Sequence, residues 1–218
     1  MKPDFEEALR YLGAPNAPEN LRQQTAQMAE NLAASIQPRY TYKVYDLEFL
    51  PMGPSLRGAG IVLIGASAAK MLAECTQAAL LACTLGSPFD LRLSALQARD
   101  MAQAVVYDAC GSAFVEAGCD AASAELAARF PNRYLTDRFS PGYGDLPLSL
   151  QPSICTALDT SRRLGLHVTE SFLLNPIKSV TAVIGLSDQP QKARIRGCAY
   201  CHMRETCALR KGGKNCAI

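Results

Sequence analysis

A loop rich in proline and glycine carries the side chains best suited to bind a ligand. Its sequence runs Arg138-Phe-Ser-Pro-Gly-Tyr-Gly-Asp145. Pro141 fixes its own φ, whereas the two glycines reach backbone angles that are closed to other residues. The planar guanidinium of Arg138 suits a carboxylate, and the ring face of Tyr143 attracts cations. The loop therefore fits a ligand with a carboxylate, a positive centre and a flat base, although an ordinary tight turn can have the same composition.

Four cysteines near the C-terminus form a second group whose spacing is typical of a binding site. They follow the pattern Cys-x2-Cys-x5-Cys-x8-Cys and are Cys198, Cys201, Cys207 and Cys216. Four thiolates at such short spacing can bind one tetrahedral zinc ion or one iron–sulfur cluster. Zinc sites usually contain two Cys-x2-Cys pairs and this segment contains one, so the irregular spacing favours the cluster and leaves zinc as the alternative. A thiol-rich tail without metal is the third interpretation.

Composition and charge narrow the class of protein further. Hydrophobic residues make up 49% of the 218-residue chain and charged residues 19%, which is typical of one large globular domain with or without an appendage. The net charge of +2 does not indicate a nucleic-acid partner. Residues 191–218 are different, because they contain seven Lys or Arg residues and a single acidic one. This positive charge would offset the charge of the four thiolates.

The sequence has no pattern of export or membrane insertion. Acidic residues occur where a signal peptide would be basic, and the longest uncharged runs, 58–69 and 75–89, are too short to span a bilayer. Nine cysteines in such a chain indicate a reducing compartment, so we expect a cytoplasmic protein without a membrane partner. Cysteines outside the C-terminal segment lie in apolar runs and are predicted to be core residues: Cys75, Cys83, Cys110, Cys119 and Cys155.

Hydrophobic periodicity predicts an α+β fold with a largely antiparallel sheet, because helices and strands occur without a regular βαβ repeat. The predicted helices cover residues 3–12, 19–36, 67–83, 94–128 (either continuous or broken near Gly118) and 150–163, the last ending at Gly165. The predicted strands cover residues 40–49, 60–65, 166–172 and 179–186. On this basis residues 1–187 form the main domain, and residues 188–218 form a basic, cysteine-rich tail.

The loop at 138–143, taken together with Thr169-Glu170-Ser171 and Ser179-Val180, resembles the activation domain of cobalamin-dependent methionine synthase. The resemblance covers about residues 85–186 and extends loosely to Asp108 and Glu116 in the long helix. The chain looks in particular like the small stand-alone activation subunits of that family, with residues 1–187 as the activation-like domain.

This resemblance implies that the chain binds S-adenosylmethionine and caps a cobalamin that has been oxidised to an inactive state. After one-electron reduction, the bound ligand remethylates the cobalt. Carried over by residue, Arg138 would hold the methionine carboxylate, and Ser140, Gly142 and Tyr143 would line the ligand. The cobalamin would come from a methionine synthase or another corrinoid protein, and the electron from a donor such as flavodoxin or ferredoxin.

The sequence departs from the family pattern at two places that concern the ligand. Val183-Ile184 stand where the family has an aromatic pair, so one aromatic contact to the ligand is missing. An acidic ligand contact from the family's N-terminal segment has no counterpart here. The two histidines, His167 and His202, do not form a cobalamin-binding loop, and His167 is expected to be a packed or edge residue of a strand. We therefore expect the corrin to be supplied by the partner.

Two other functions remain as alternatives. The chain could be a non-catalytic metal-binding module that docks on a corrinoid protein and shields it. It could instead be a corrinoid reductase in which a cluster in the tail transfers the electron without S-adenosylmethionine. The sequence leaves open whether the chain is itself an enzyme or a subunit of a methyltransferase system.

Overall fold

The computed structural model describes residues 1–191 and Glu205, and this part of the chain has the predicted α+β fold. Its α-helices are α1 (Phe5–Tyr11), α2 (Glu19–Ser35), α3 (Ala66–Leu72), α4 (Ser87–Gln97), α5 (Met101–Arg129), α6 (Gln151–Leu158) and α7 (Thr160–Leu164). Its strands are β1 (Arg39–Leu50), β2 (Gly53–Leu56), β3 (Ile61–Val62), β4 (Cys75–Thr84), β5 (Tyr134–Leu135), β6 (His167–Val168), β7 (Leu174–Asn175) and β8 (Ser179–Ser187).

The main sheet has six strands in the order β3-β2-β1-β4-β8-β5. β1 and β2 form an antiparallel hairpin in which Leu47 lies opposite Leu56 and Leu50 lies opposite Gly53. β3 pairs antiparallel with β2, and β5 pairs antiparallel with β8. The separate strands β6 and β7 form a small antiparallel sheet of their own. These pairings agree with the largely antiparallel sheet predicted from the sequence.

The helix predicted over residues 67–83 is wrong in its second half, where the chain forms β4. Residues 78–84 are buried without interruption, as expected of a central strand that is covered on both faces. A continuous apolar run of this kind has the same periodicity in a buried strand and in a buried helix. The alanines and leucines favour a helix locally, but pairing with neighbouring strands overrides that preference.

The helix predicted over residues 94–128 consists of two helices, α4 and α5. The break lies at Asp100, whose side chain accepts a hydrogen bond from a backbone N–H in the first turn of α5 at 3.0 Å. α5 then continues through Gly118 without interruption. The apolar residues Met101 and Val105 of α5 are each more than half exposed. α5 is apolar on most of its circumference, so its sequence defines the buried face poorly.

The helix predicted over residues 150–163 and the strand predicted over residues 166–172 are both longer than the elements found in the structure. The helix over 150–163 is divided into α6 and α7 at Asp159, which has a φ of 52°. Gly165 ends α7 in the left-handed conformation, as predicted. The strand over 166–172 shortens to β6, because the chain turns at Phe172, whose φ is 63°.

The described chain divides into two compact units, each made of three segments. The first unit comprises Met1–Tyr42, Leu81–Glu125 and Cys155–Thr181, and the second comprises Lys43–Leu80, Leu126–Ile154 and the chain from Ala182 onward. Fully buried side chains of the first unit include Leu9, Leu32, Phe89 and Phe114. Those of the second include Leu63, Met71, Leu72, Leu80 and Leu146. In the described residues no helix is long and apolar enough to cross a membrane.

The five cysteines predicted as core residues are all buried. Cys110 donates to the carbonyl of Thr25, and Cys83 donates to the carbonyl of Val115. Burial raises the pKa of the Cys110 thiol to about 12 and that of Cys75 to about 11. Both thiols therefore stay protonated at neutral pH and act as small hydrophobic side chains.

Candidate functional site

The loop that the sequence singled out lies in the second unit, between β5 and a short 3-10 helix at Leu148–Leu150. Its first residues are fixed on β8 by an isolated antiparallel bridge. The N–H of Phe139 donates to the carbonyl of Val183 at 3.1 Å, and the N–H of Val183 donates back at 2.8 Å. Phe139 is buried, so its side chain anchors this end of the loop in the core.

The centre of the loop is a pair of tight turns. The N–H of Tyr143 donates to the carbonyl of Ser140 at 3.0 Å, and the N–H of Leu146 donates to the carbonyl of Tyr143 at 3.1 Å. The N–H of Gly142 donates to the carbonyl of Leu146 at 2.8 Å and joins the two turns. Gly142 has a φ of 87° and Gly144 a φ of 58°, which are angles that side chains disfavour. The two glycines are therefore required for the path of the backbone, as their types predicted.

The four residues predicted to bind the ligand lie close together in this loop. Gly142 and Tyr143 are exposed, with 44% of Tyr143 accessible, and Arg138 and Ser140 are half-buried. The loop thus presents an aromatic ring and an uncovered stretch of backbone to solvent, with a guanidinium five residues before the ring. This combination can bind a carboxylate and a neighbouring positive centre.

The last residue of the loop, Asp145, holds the loop against the start of α3. Its carboxylate accepts hydrogen bonds from the backbone N–H groups of Ala66 at 2.6 Å and Ser67 at 3.0 Å. A hydrogen bond from the Ser67 side chain, followed by these backbone bonds, lowers the pKa of Asp145. The contribution of the carboxylate is therefore present above about pH 4 and is lost as the pH falls through the lowered pKa. No local sequence signal predicts this contact.

A shallow cleft of about 400 Å³ lies beside the same helix start. Its lining comes from the turn of the β1–β2 hairpin and from the first residues of α3: Phe49, Leu50, Pro51, Met52, Gly53, Pro54, Gly65, Ala66 and Ala69. Phe49 and Met52 are exposed by 52% and 67%. Gly65 and Ala66 therefore face the cleft and also adjoin the carboxylate of Asp145.

The Thr169-Glu170-Ser171 motif lies in the first unit, at the turn between β6 and β7. The side chain of Thr169 accepts a hydrogen bond from the N–H of Leu173 at 3.0 Å and lies 3.0 Å from the hydroxyl of Ser171. Both hydroxyls thus stabilise the turn. Glu170 is exposed, and so is His167 on β6, as expected for an edge histidine.

One of the acidic residues of α5 forms an ion pair with a lysine. Asp108 accepts from the ammonium of Lys178 at 2.9 Å, and Lys178 also donates to Ser112 at 2.9 Å. The Lys178 side chain is only 16% exposed. This ion pair belongs to the first unit, and a separation of 70 residues in the sequence gave no signal for it.

The predicted metal ligands Cys198, Cys201, Cys207 and Cys216 lie outside the described residues, as does His202. Within residues 1–191, no group of three or more His, Cys, Asp or Glu side chains is arranged to bind a metal ion. The metal site and the boundary of the tail at residue 188 therefore stay predictions.

Comparisons with known proteins bear on the fold. No protein-family model and no curated protein matches this sequence. The structure is similar to a solved structure described as the crystal structure of the MetH reactivation domain bound to AdoHcy, with a TM-score of 0.64 and 16% sequence identity. The match covers 90% of this chain and 73% of that chain. The predicted relation to a methionine synthase activation domain is thus confirmed at the level of the fold, and the stand-alone subunit type stays a prediction.

Proposed function

We propose that this chain binds S-adenosylmethionine and serves as an accessory subunit for the reductive remethylation of cobalamin on a partner protein. The observation that carries the proposal is the likeness to the MetH reactivation domain bound to AdoHcy, which extends over 90% of the chain. AdoHcy is the demethylated form of S-adenosylmethionine, and the two ligands share the carboxylate, the ammonium and the adenine base.

The loop at 138–145 supports this ligand on chemical grounds. The guanidinium of Arg138 can pair with the carboxylate of the ligand through two parallel hydrogen bonds. The exposed ring of Tyr143 offers its face to the sulfonium, which is the positive centre that distinguishes S-adenosylmethionine from AdoHcy. The absence of a side chain at Gly142 lets a ligand approach the backbone closely.

The two residues that replace the family's aromatic pair have another role in this chain. Val183 is fully buried and Ile184 is 2% exposed, so both belong to the core of the second unit. Neither residue can offer an aromatic ring to the ligand, and the ring of Tyr143 is assigned here to the sulfonium. We therefore expect weaker stacking on the adenine than an aromatic pair at these two positions would provide.

In this proposal, other proteins supply the corrin and the reducing electron. Cobalamin would be held by a methionine synthase or a related corrinoid protein, where it would accept the methyl group of the ligand. The electron would come from a donor such as flavodoxin or ferredoxin. The activation-like domain would then bind and orient the methyl donor and cover the cobalamin from water.

Calorimetry with S-adenosylmethionine tests the proposal directly. We expect saturable binding of S-adenosylmethionine and of AdoHcy to the purified chain. Methionine or adenosine alone should bind much more weakly, because each carries only part of the recognised groups. Absence of heat at millimolar S-adenosylmethionine, with and without a corrinoid partner, would contradict the proposal and favour the non-catalytic docking module.

Metal analysis of the cysteine segment distinguishes the remaining alternatives. If Cys198, Cys201, Cys207 and Cys216 bind an iron–sulfur cluster, protein purified without oxygen should be brown and contain iron and sulfide. If they bind zinc, the protein should be colourless with about one metal ion per chain. A cluster would support an electron-transferring role for the tail, and zinc would limit the tail to a structural one. Metal-free protein with four titratable thiols would refute both versions.

A further inference from the structure

We infer that Asp145 is a positioning residue, which sets the shape of the ligand loop by joining it to the start of α3. The inference rests on the proposed function, because the loop is the segment that would bind S-adenosylmethionine. Asp145 itself is not one of the predicted ligand contacts. Its carboxylate acts on the ligand through the backbone of the loop.

The geometry of the contact is that of a two-point attachment. The two carboxylate oxygens of Asp145 each accept one backbone N–H, from Ala66 at 2.6 Å and from Ser67 at 3.0 Å. Hydrogen bonds to a charged acceptor are stronger than neutral ones, and two of them fix both the position and the orientation of the carboxylate. The connected segments are almost 80 residues apart in the sequence, so no local preference brings them together.

Two glycines make this approach sterically allowed. A Cβ added to Gly65 would lie 2.8 Å from Oδ1 of Asp145, and a Cβ added to Gly144 would lie 2.9 Å from the hydroxyl of Ser67. Distances below 3.0 Å require one of the partners to move. At Gly65 an added Cβ would also lie 2.9 Å from the backbone carbonyl oxygen of Asp145, which cannot turn aside as the Ser67 hydroxyl can. The missing side chain at Gly65 therefore matters most for the close approach of the loop.

The attachment bears on the residues that would bind the ligand. Asp145 follows Tyr143 by two residues, and the N–H of Gly142 bonds to Leu146, the residue after Asp145. The loop is thus held at one end by the bridge between Phe139 and β8 and at the other by Asp145. Without Asp145 this end of the loop would be held by the buried side chain of Leu146 alone. The ring of Tyr143 would then be less firmly placed, and the ligand would have to order more of the loop on binding.

The test compares Asp145→Ala, Asp145→Asn and Gly65→Ala with the wild type. In ligand-free protein, Asp145→Ala should shift the backbone amide resonances of Ala66 and Ser67 and lower the hydrogen-exchange protection of Gly142. Affinity for AdoHcy should fall on the order of tenfold, the scale of losing a helix-capping carboxylate. Asp145→Asn should recover part of the affinity, because its single amide oxygen accepts one of the two bonds.

Gly65→Ala perturbs the same contact from the other side, because its Cβ would displace the carboxylate of Asp145. Gly65 has a φ of 127°, so this variant also carries backbone strain of its own. The double variant should therefore lose less affinity than the two single variants together, since both changes break the same contact. Additive losses, or full affinity in Asp145→Ala, would overturn the inference and leave the proposed function intact. If the wild type binds no ligand, the proposed function fails, and the amide shifts alone decide whether Asp145 holds the loop.

Discussion

Gly111→Ala is expected to lower the free energy of unfolding by about 3 kcal/mol, the upper part of the range for overpacking a core. An added Cβ would lie 2.2 Å from Cζ and 2.4 Å from Cε2 of Phe89, inside any allowed contact distance. Phe89 is fully buried and stacks on Tyr107 with ring centroids 4.6 Å apart, so the ring has little room to move. Urea denaturation of the two proteins measures the difference.

The sign of this effect makes the experiment decisive. In an exposed helix, replacement of glycine by alanine stabilises the protein by up to about 1 kcal/mol. A stability equal to or above that of the wild type would therefore show that α5 does not pack on Phe89 as described. A matched control is Phe89→Leu, which shortens the clashing side chain. In that background Gly111→Ala should cost much less than it does alone.

Arg138→Ala is expected to weaken the binding of S-adenosylmethionine by about 2–3 kcal/mol, the scale of a charge-assisted contact removed from a site. Arg138→Lys should recover only part of this loss, because an ammonium cannot make the planar two-point contact with a carboxylate. Titration calorimetry of the three proteins measures the series.

Arg133→Ala is the matched control for this experiment. Arg133 lies five residues before Arg138, outside the loop at 138–145, and pairs with Asp188 at 2.5 Å within the second unit. Its removal should leave the affinity for S-adenosylmethionine nearly unchanged. Equal affinity in the wild type and in both Arg138 variants would remove Arg138 from the proposed site.

Local sequence signals predicted those parts of the fold that depend on local structure. The helix predicted over residues 3–12 forms as α1 (Phe5–Tyr11), and α7 ends at Gly165 in the left-handed conformation, as predicted. The tight path of the loop at 138–145 was predicted in the same way, since Pro141 and the glycines that follow it restrict the backbone to a few conformations. Each of these signals lies within a few residues of the structure that it specifies.

Features that depend on distant residues could not be predicted in this way. Residues 75–84 have the composition of a helix and form a strand only because neighbouring strands pair with them. The attachment of Asp145 to Ala66 joins segments that are 79 residues apart, and no single-sequence pattern reports such a pair. The Lys178–Asp108 ion pair was missed for the same reason.

The interleaved order of the segments has a consequence for how the chain folds during synthesis. The first unit needs Cys155–Thr181 and the second needs the chain from Ala182 onward, so both are incomplete until β8 has been made. Domains made of one continuous segment can fold as soon as they leave the ribosome. Here β1 to β4 can pair with one another early, but the edge of β4 that pairs with β8 stays open until late in synthesis. We therefore expect nascent chains that end before β8 to depend on chaperones.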